Sequence, residues 1–529
     1  MGTLRREMHW GRLMHCYAER PANINDMIGA SVRRSPDGVA VVDGGLRMTY
    51  RDLDAAAGAL ASGLSARGVR KGDRVAVMLP NSAAAVESVV AIARLGAIIV
   101  PIGTRLRRPE IEYIFEDAEP VAMIHDAGFA QELPTLGPAS SMRFAPGGTD
   151  WQSLKDSGRD TLPAPTVSEE DVFGILYTSG TTGKPKGAMI THLNVVHSCL
   201  HWEDVHQLHH GERTVLCVPW SHVAGLVGVM LPFLYVGGTV AVMAEFKRRE
   251  FLMLAQAERL THALMVPAMY GLLLLEPDLA SFDMSQWRLG VYGSAPMPEP
   301  TIVRFADAFP RLQMCNAYGA TETTSPATIM PPGDGVLHAE SIGKTVPCGD
   351  IVVMDEAGRE LPAGEEGELW IGGPMIVSGY WRNAEANAKS FVSGYWKSGD
   401  IGAVDSNGYV RIADRKKDMI NRGGFKVYPA EVESVLSGLV GVLEAAVVGH
   451  PDPILGESVI AFLSVNVDTI DEGVIRSYCI ERMADYKVPG RVVIGRSALP
   501  RNANGKIQKA ELRELAKQLP PLLRDGKPR

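Results

Sequence analysis

The feature that most constrains the fold is an alternation of short apolar segments and helical segments in the first half of the chain. The segments "RVAVML" (74–79) and "AIIVPI" (97–102) have the continuous apolar pattern of buried strands. Between them, Ser82 is placed to cap a helix that we expect to run to about Leu95. Two further segments continue the pattern, "HALMVP" (262–267) and "LGVYGSA" (289–295). Strand–helix–strand units of this kind predict a mainly parallel sheet covered by helices.

The pattern changes after about Gly343. The stretch "GDIVVMDEAGRELPAGEEGELWIGG" (349–373) alternates short β segments with turn residues, which predicts antiparallel hairpins and a small barrel. Mixed α/β character then returns, and proline opens a helical pattern at 429–439. Because 529 residues exceed what a single core holds, we predict a large domain over 1–414 and a small one over 415–529. A charged stretch at 414–417 is the expected hinge.

Composition excludes several classes of protein. The formal net charge is -8, which argues against a general nucleic-acid partner. Six widely spaced cysteines contain no C-x-x-C pair, so we expect neither a zinc site nor a disulfide framework. The N-terminal stretch has basic residues but lacks the apolar segment of a secretory signal. We therefore expect a cytoplasmic protein.

One apolar stretch, 223–244, is long enough to cross a membrane. Pro232 and the pair Gly237 and Gly238 interrupt it where a buried helix would turn into a buried strand. We therefore expect a helix to about Tyr235, a glycine turn and a strand, and no transmembrane segment.

The stretch "YTSGTTGKPKG" (177–187) is rich in glycine, hydroxyl and lysine side chains. Backbone N–H groups of a glycine-rich turn bind anions, and hydroxyls and lysines add donors and charge. The spacing differs from the P-loop pattern G-x-x-x-x-G-K-[ST]. Its flanks, "VFGIL" before and "HLNVVHSCL" after, predict a phosphate-binding loop between a strand and a helix, although a solvated loop has the same composition.

Six segments together resemble the adenylate-forming superfamily, which includes acyl-CoA synthetases, stand-alone adenylation domains and firefly-type luciferases. They occur in the family's order and approximate spacing over nearly the whole chain: "YTSGTTGKPKG", "YGATE" (318–322), "GELWIGGPMIVSGYW" (367–381), "WKSGD" (396–400), "DRKKDMINRGGFKVYPAEVE" (414–433) and "NGKIQK" (504–509). The resemblance implies a large domain of two helix-covered β-sheet subdomains plus a small distorted β-barrel. A small mobile α+β domain then follows.

The resemblance also implies a reaction in two halves. A carboxylate attacks the α-phosphate of ATP to give acyl-AMP and pyrophosphate, and a thiol, usually coenzyme A, then displaces AMP. An anionic acid must approach a polyanionic triphosphate, so cations and aligned donors are needed at the developing charge. The implied ligands are ATP, Mg²⁺, coenzyme A and a small carboxylic acid.

The family's nucleotide-binding roles map onto matching positions. The loop should hold the β- and γ-phosphates, Thr321 should donate to phosphate, and Glu322 should help to hold Mg²⁺. Tyr318, followed by Gly319, should stack on adenine, Asp400 should accept the ribose hydroxyls, and Arg415 should lie nearby. The remaining ATP-site residues are Thr178, Ser179, Gly180, Thr181, Thr182, Gly183, Lys184 and Lys186 of the loop, and Gly293, Ser294, Ala295 and Pro296 at the adenine edge.

Three elements carry the expected chemistry on the acid and thiol. By resemblance, Lys506 bridges the carboxylate and the α-phosphate, and His222 lies near the carboxylate and the thiol path. Lys417 is the expected pivot of the C-terminal domain. Gly423 and Gly424 should line the coenzyme A channel in the second half.

The segment "PWSHVAGL" (219–226) resembles the element that borders the acyl site, with Trp220, Ser221, Val223, Gly225 and Gly228 as candidate pocket residues. Ser221 stands where bulky side chains are common in relatives, which would enlarge the pocket, although the small residues could equally serve tight helix packing. A medium or long-chain fatty acid or a ring-bearing acid is the expected substrate.

Alternatives remain at this point. A stand-alone adenylation enzyme could load an aryl or fatty acid onto a carrier protein, whereas an amino-acid substrate is disfavoured because the stretch lacks an aspartate for the ammonium group. A scaffold protein is disfavoured by the completeness of the motifs. His206 and His210 could share a helix face with His201 and His209 nearby, but they lack the acidic partner of a metal motif. A homodimer is the assembly to test.

Overall fold

The computed structural model describes residues 2–134, 142–157, 165–178, 185–295, 297, 299–415, 418–422, 425–452, 455–467, 469–502 and 506–519. Within them the predicted α/β architecture is confirmed: two large helix-covered sheets, an antiparallel sheet and a C-terminal α+β domain. In the described part of the chain, no helix is both long enough and apolar enough to cross a membrane.

A six-stranded sheet forms the first helix-covered unit, in the order β10-β9-β6-β5-β7-β8. Its strands are β5 (Arg74–Met78), β6 (Ile98–Pro101), β7 (Ala122–His125), β8 (Arg143–Phe144), β9 (Val172–Thr178) and β10 (Lys186–Thr191). All neighbours are parallel except β9 and β10, which form an antiparallel pair. The strand predicted at 74–79 and the helix capped by Ser82, whose hydroxyl accepts from the Ala85 N–H, are both present.

A nine-stranded sheet forms the second unit, in the order β17-β16-β15-β14-β13-β11-β12-β3-β4. Its strands are β3 (Val39–Asp43), β4 (Leu46–Thr49), β11 (Arg213–Leu216), β12 (Thr239–Val242), β13 (His262–Met265), β14 (Leu289–Tyr292), β15 (Gln313–Tyr318), β16 (Thr328–Ile329) and β17 (Lys344–Thr345). The run from β15 to β3 is parallel, as the buried apolar segments predicted.

Antiparallel strands follow where the sequence changes pattern. The third large-domain sheet contains β18 (Asp350–Met354), β19 (Gly367–Gly372), β20 (Phe391–Val392), β21 (Tyr395–Val404) and β22 (Val410–Arg415). A separate hairpin near the N-terminus pairs β1 (Leu4–His9) with β2 (Arg12–Tyr17).

The C-terminal domain is built on a five-stranded sheet that carries its own apolar core. Its strands are β23 (Ile420–Arg422), β24 (Phe425–Val427), β25 (Val442–Asp452), β26 (Gly456–Val465) and β27 (Arg491–Gly495). Asp414, at the end of the large domain, accepts a hydrogen bond at 2.8 Å from the Ala430 N–H in the first turn of the next helix. The carboxylate thus caps a helix of the small domain.

Helices cover both large sheets and the C-terminal sheet. They are α1 (Ile24–Arg34), α2 (Tyr50–Ala66), α3 (Ala83–Leu95), α4 (Arg108–Ala118), α5 (Thr149–Ser157), α6 (His192–His206), α7 (Val223–Gly225), α8 (Leu231–Val236), α9 (Arg248–Ala257), α10 (Pro267–Leu273), α11 (Glu299–Ala308), α12 (Ala384–Ser390), α13 (Pro429–Ser437), α14 (Glu472–Ile480) and α15 (Lys509–Lys517). A π-helical segment, Leu226–Met230, joins α7 to α8. The apolar stretch 223–244 is therefore a buried helix, a glycine turn and strand β12, as expected.

The strand and the helix expected on either side of the glycine-rich loop are both present, as β9 and α6, and α6 begins at His192 as expected. The sequence reasoning missed β10, which lies between the loop and α6 and pairs antiparallel with β9. Thr191 caps α6 by accepting from the Asn194 N–H at 3.3 Å, so the start of the helix is satisfied by its own capping residues. The described residues that flank the loop, Thr178 and Lys186, are therefore partners in an antiparallel strand pair, and the residue before α6 belongs to β10.

Histidines on α6 are buried, and α6 ends at His206 because Gln207 adopts a left-handed φ of 50°. His209 and His210 lie beyond it and are exposed, so His206 and His210 do not share a helix face. Burial lowers the pKa of His192 to about 4 and the pKa values of His197 and His206 to about 3. These imidazoles are neutral in the folded protein at neutral pH.

We predict that acid destabilises the large domain through these buried histidines. An unfolded histidine takes up a proton near pH 6.5, whereas the folded groups remain neutral, so stability falls as pH drops below that value. The free energy of unfolding should decrease by about 1 kcal/mol per buried histidine between pH 7.5 and 5.5. Urea titrations followed by tryptophan fluorescence measure this, because all eight tryptophans lie before residue 414.

A matched pair of variants isolates the cause. His197→Phe should reduce the loss between the two pH values, whereas His210→Phe, at an exposed position, should leave it unchanged. An undiminished loss in His197→Phe would contradict the assignment to His197.

Candidate active site

The predicted site residues of the large domain converge at the carboxyl ends of parallel strands in the nine-stranded sheet. His222 follows β11, Gly293 follows β14, and Tyr318 ends β15. The carboxyl ends of adjacent parallel strands open on one edge, which is where α/β proteins hold ligands. The fold therefore brings together residues that are almost a hundred positions apart in the sequence.

The adenine and ribose side of the site is a short hydrogen-bonded unit. The Tyr318 hydroxyl donates to Oδ2 of Asp400 at 2.5 Å, and Asp400 is only 3% exposed. The backbone of Arg415 pairs directly with Asp400 across β21 and β22. Strand pairing thus places Arg415 beside Asp400, and a side-chain hydrogen bond joins Tyr318 of the nine-stranded sheet to Asp400.

Close backbone packing shapes the adjoining loop. A Cβ on Gly293 would lie 2.4 Å from the Ala317 carbonyl oxygen, so a larger residue cannot occupy this position without moving β15. Ser294 adopts a left-handed φ of 66°. Ala295 follows at the edge of the site, and Pro296 lies outside the described residues.

The phosphate side contains a chain of contacts that begins at the hairpin. Thr178 and Lys186 are cross-strand partners that flank the loop, and the Lys186 ammonium lies 4.9 Å from the Tyr380 ring centroid. The Tyr380 hydroxyl donates to Oε1 of Glu322 at 2.8 Å. Glu322 and Thr321 share a short 3₁₀ turn, and Gly319, just before it, would place a Cβ 3.0 Å from Oγ1 of Thr323.

Several predicted residues lie outside the described part of the chain. They are Ser179, Gly180, Thr181, Thr182, Gly183 and Lys184 of the phosphate loop, Lys417 at the hinge, and Gly423 and Gly424 of the coenzyme A channel.

The acid side is centred on His222. Its pKa is lowered to about 4, first by burial and then by the positive charges of Lys506 and Arg105. The imidazole is therefore neutral at physiological pH and can donate or accept a hydrogen bond.

Hydrogen bonds from Asn502 hold the backbone of Lys506. The Asn502 side chain accepts from the Lys506 N–H at 3.0 Å, and the Asn502 N–H donates to the Lys506 carbonyl at 2.9 Å. Arg501 and Ile507 add a β-bridge beside these bonds. The lysine side chain is exposed at the end of a fixed backbone, which suits a group that is delivered by domain movement.

The candidate acyl-pocket residues differ in environment. Trp220 is 1% exposed and its indole N–H donates to the Leu79 carbonyl at 2.8 Å, which favours an anchoring role between the two large sheets. A Cβ on Gly225 would lie 2.3 Å from the Pro219 carbonyl oxygen, which favours tight packing at this position. Ser221 and Val223, on either side of His222, are partly exposed.

Gly228 lies deeper, within the π-helical segment. A Cβ there would meet Cδ1 of Leu264 at 3.1 Å and Cζ2 of Trp202 at 3.7 Å. The glycine thus lets the segment pack closely against α6 and β13.

Asn81 is a positioning residue that the sequence reasoning missed. Its Nδ2 lies within 3.1 Å of the carbonyl oxygens of Leu216, Val218 and Met243, and its Oδ1 accepts from the Trp220 N–H at 2.8 Å. This 6% exposed side chain ties the loop after β5 to the loops after β11 and β12. An asparagine after a strand resembles an ordinary turn residue, so no sequence signal distinguished it.

Three other side chains were also missed: Arg105, which acts on His222, Tyr380, which holds Glu322, and Asn502, which holds Lys506. Tyr380 lies inside the motif quoted above, and Asn502 stands just before the "NGKIQK" segment. These two residues therefore stood in or beside quoted motifs, but nothing in the sequence indicated their contacts, and Arg105 lies near no quoted motif.

Comparisons with known proteins agree with this geometry. A family model described as AMP-binding enzyme matches residues 29–381, and one described as AMP-binding enzyme C-terminal domain matches residues 431–506. The chain belongs to the AMP-binding enzyme family. The two matches lie on either side of the predicted hinge.

Several of the relatives are acyl-CoA ligases. A feruloyl-CoA synthase from Amycolatopsis sp is 36% identical over 91% of this chain and 96% of its own. The long-chain-fatty-acid–CoA ligase FadD13 of Mycobacterium tuberculosis is also 36% identical, over 89% of this chain and 93% of its own. A structure of the anthranilate CoA ligase AuaEII with anthranoyl-AMP superposes with a TM-score of 0.87 at 29% identity, and the match covers 95% of this chain and 99% of that one. The prediction of an enzyme of the acyl-CoA ligase type is confirmed.

We predict that Asn81→Ala destabilises the large domain and weakens acid activation together. The substitution removes the acceptor of the Trp220 N–H and the two N–H bonds shared among three carbonyl oxygens, of which Leu216 keeps a bond from the Met243 N–H. Each buried group left without a partner costs about 1–3 kcal/mol. Urea unfolding should show a loss of about 3 kcal/mol or more. Adenylation measured by pyrophosphate release should fall as well, because the His222 loop is no longer held.

Asn383→Ala is the control. Its side chain caps the surface helix α12 by accepting from the Ala386 N–H, so its loss should cost about 1 kcal/mol and leave adenylation unchanged. Equal stability losses in the two variants would contradict the special role of Asn81.

Proposed function

We propose that this acyl-CoA ligase activates its acid through Lys506 and His222 at the edge of the nine-stranded sheet. The observation that carries the proposal is the buried Tyr318–Asp400 hydrogen bond at the end of β15, close in the chain to Glu322 and on the same sheet edge as His222. The pKa of His222, which burial and the positive charges of Lys506 and Arg105 lower, supports the assignment of a C-terminal lysine to this edge.

The first half-reaction forms an acyl-adenylate. A carboxylate oxygen of the acid attacks the α-phosphorus of ATP, and the bond to pyrophosphate breaks. Lys506 neutralises the negative charge that accumulates between carboxylate and α-phosphate, and neutral His222 orients the carboxylate. The hairpin of β9 and β10 holds the departing phosphates, with Lys186 at its base.

Magnesium fits the phosphate side. Glu322 supplies a buried carboxylate, which is a hard oxygen ligand that suits Mg²⁺, and the Tyr380 hydroxyl orients it. The ion would neutralise phosphate charge there.

The second half-reaction transfers the acyl group. The sulfur of coenzyme A attacks the acyl carbonyl carbon, and AMP leaves with its electron pair. We propose that the C-terminal domain first rotates about Lys417, so that Lys506 withdraws and Gly423 and Gly424 line the thiol channel. Asp414 and the helix that it caps lie beside this pivot.

The proposed acid is a medium or long-chain fatty acid or a ring-bearing carboxylic acid. The feruloyl-CoA synthase and the fatty-acid–CoA ligase among the relatives represent these two classes. The apolar surroundings of the π-helical segment accommodate either carbon skeleton.

We predict an asymmetric effect of Lys506→Ala. Adenylation should fall by about 10²–10³-fold, as for other lost electrostatic stabilisers. Transfer to coenzyme A from pre-made acyl-AMP should suffer much less, because Lys506 acts on the α-phosphate only in the first half. Pyrophosphate release and AMP release from acyl-AMP measure the two halves separately.

Lys509→Ala is the matched control for Lys506→Ala. It removes a lysine three positions away that pairs with Glu433 inside the C-terminal domain at 2.8 Å, and adenylation should stay within about threefold. Equal losses of both half-reactions in Lys506→Ala would contradict the assignment.

The opposite asymmetry is expected for Lys417→Pro. Proline restricts the backbone rotation that domain movement requires, so transfer to coenzyme A should be impaired while adenylation is largely retained. Full activity in both halves would contradict domain rotation about this residue.

If AMP is released only with a carrier protein and not with coenzyme A, the enzyme is instead a stand-alone adenylation enzyme that loads a carrier protein.

A further inference from the structure

Two side chains of the C-terminal domain fix the residues next to the proposed thiol channel. Arg422 and Phe425 stand directly before and after Gly423 and Gly424 in the chain, and they are cross-strand partners in the pair β23 and β24. Both strands have only three residues, and β24 is the end strand of its sheet. Strand pairing this short is only marginally stable, so the position of the two strands depends on contacts with their surroundings.

The first of these contacts is made by the Arg422 guanidinium. Its Nη1 donates to the carbonyl oxygen of Tyr486 at 2.7 Å and to that of Val488 at 3.1 Å. Tyr486 lies in the 3₁₀ turn Asp485–Lys487, and Val488 follows it. The next i→i+3 bond of such a turn would bring an N–H from residue 489 to the Tyr486 carbonyl, but Pro489 has no N–H. Arg422 therefore supplies a donor that the turn itself lacks.

The second contact is made by Phe425. Its ring stacks on the Tyr486 ring, with the centroids 4.6 Å apart and the planes 20° apart. One residue from each strand thus contacts the same turn, Arg422 through hydrogen bonds and Phe425 through an aromatic face. Because these two residues flank the glycine pair in the chain, their contacts limit the movement of the backbone on both sides of it.

The turn is a suitable anchor because it is bonded to the rest of the C-terminal domain. The Lys487 ammonium donates to both carboxylate oxygens of Glu431, in the first turn of α13, at 2.5 and 2.8 Å. The Gly490 N–H, just after the turn, donates to the Val459 carbonyl oxygen of β26 at 2.8 Å. Strands β23 and β24 are therefore fixed relative to the domain and would move with it when it rotates.

Lys506 is held by a different set of contacts. Asn502 bonds to the Lys506 backbone at both its N–H and its carbonyl, and the neighbouring Arg501 pairs with Glu444 at 2.5 Å. Loss of the Arg422 contacts should therefore leave the position of Lys506 intact. A change at Arg422 should then affect the two half-reactions differently.

We propose that Arg422 is a positioning residue for the transfer to coenzyme A. By holding β23 to the turn at 485–488, it keeps Gly423 and Gly424 in place for the incoming thiol. The proposal rests on the proposed function, because it assumes that the two glycines line the thiol channel. It adds a residue that acts through backbone carbonyl groups of its own domain.

The test measures both half-reactions in two variants. Arg422→Met removes the donors but keeps a long side chain, and Arg422→Lys retains the charge on a single ammonium group. In Arg422→Met, kcat/KM for coenzyme A with pre-made acyl-AMP should fall by about tenfold or more, the effect of losing one or two hydrogen bonds. Pyrophosphate release should stay within about threefold of the wild type. Arg422→Lys should restore part of the transfer rate.

Arg482→Met is the matched control. Its guanidinium also donates to a carbonyl oxygen of the C-terminal domain, that of Tyr478 at 3.1 Å, and lies 3.8 Å from the Tyr478 ring centroid, but it stands just after α14 and away from β23. Both half-reactions should keep their wild-type rates in this variant.

The ratio of the two rates separates positioning from stability. Partial unfolding lowers both half-reactions in the same proportion, so an equal loss in Arg422→Met, or no loss, contradicts the positioning role. If Arg422→Met does not fold, the ratio in Arg422→Lys decides in the same way.

Gly424→Val tests the proposed channel itself, because a branched side chain would obstruct the thiol. If transfer is impaired in Gly424→Val and normal in Arg422→Met, the role of Arg422 is wrong while the proposed function stands. If transfer is normal in Gly424→Val, the proposed channel is wrong, and the role of Arg422 fails with it.

Discussion

The arrangement of the site depends on the hydrogen bonds that Asn81 makes where the two large sheets meet. The backbone groups of the loops that follow the parallel strands have no regular hydrogen-bond partners of their own. One amide side chain satisfies the carbonyl oxygens of Leu216, Val218 and Met243 and the Trp220 N–H, and so fixes the loop that presents His222. A shift of the Asn81 side chain would move His222 relative to the residues proposed to bind the nucleotide, which lie at the ends of β14 and β15.

The large-scale architecture could be predicted because buried strands and helices have distinct periodicities. The strand at 74–79, the cap at Ser82 and the helix–turn–strand at 223–244 depend on local patterns, and the structure contains them. The family and the type of enzyme followed from motifs spread along the chain. Strand β10 was missed because it runs directly into α6. Since no turn residues separate the two elements, the sequence shows no boundary between them.

Side-chain networks were harder to predict because they depend on which loops meet. The sequence contains no sign that Tyr380 would reach Glu322, or that Arg105 would act on His222. It also suggested an open pocket at Gly225 where the structure has a close approach to Pro219. In each case the deciding factor is a contact between elements that are distant in sequence.

The bond between Tyr318 and Asp400 has a consequence for how the nucleotide enters. Without a ligand, the Tyr318 hydroxyl donates to the Asp400 carboxylate, so neither group lacks a hydrogen-bond partner before the nucleotide binds. A carboxylate can accept about four hydrogen bonds, so in the proposed role a ribose hydroxyl would donate to Asp400 while the bond from Tyr318 persists. The tyrosine would then fix the orientation of the carboxylate before the nucleotide arrives, and the sugar would meet an acceptor that is already aligned.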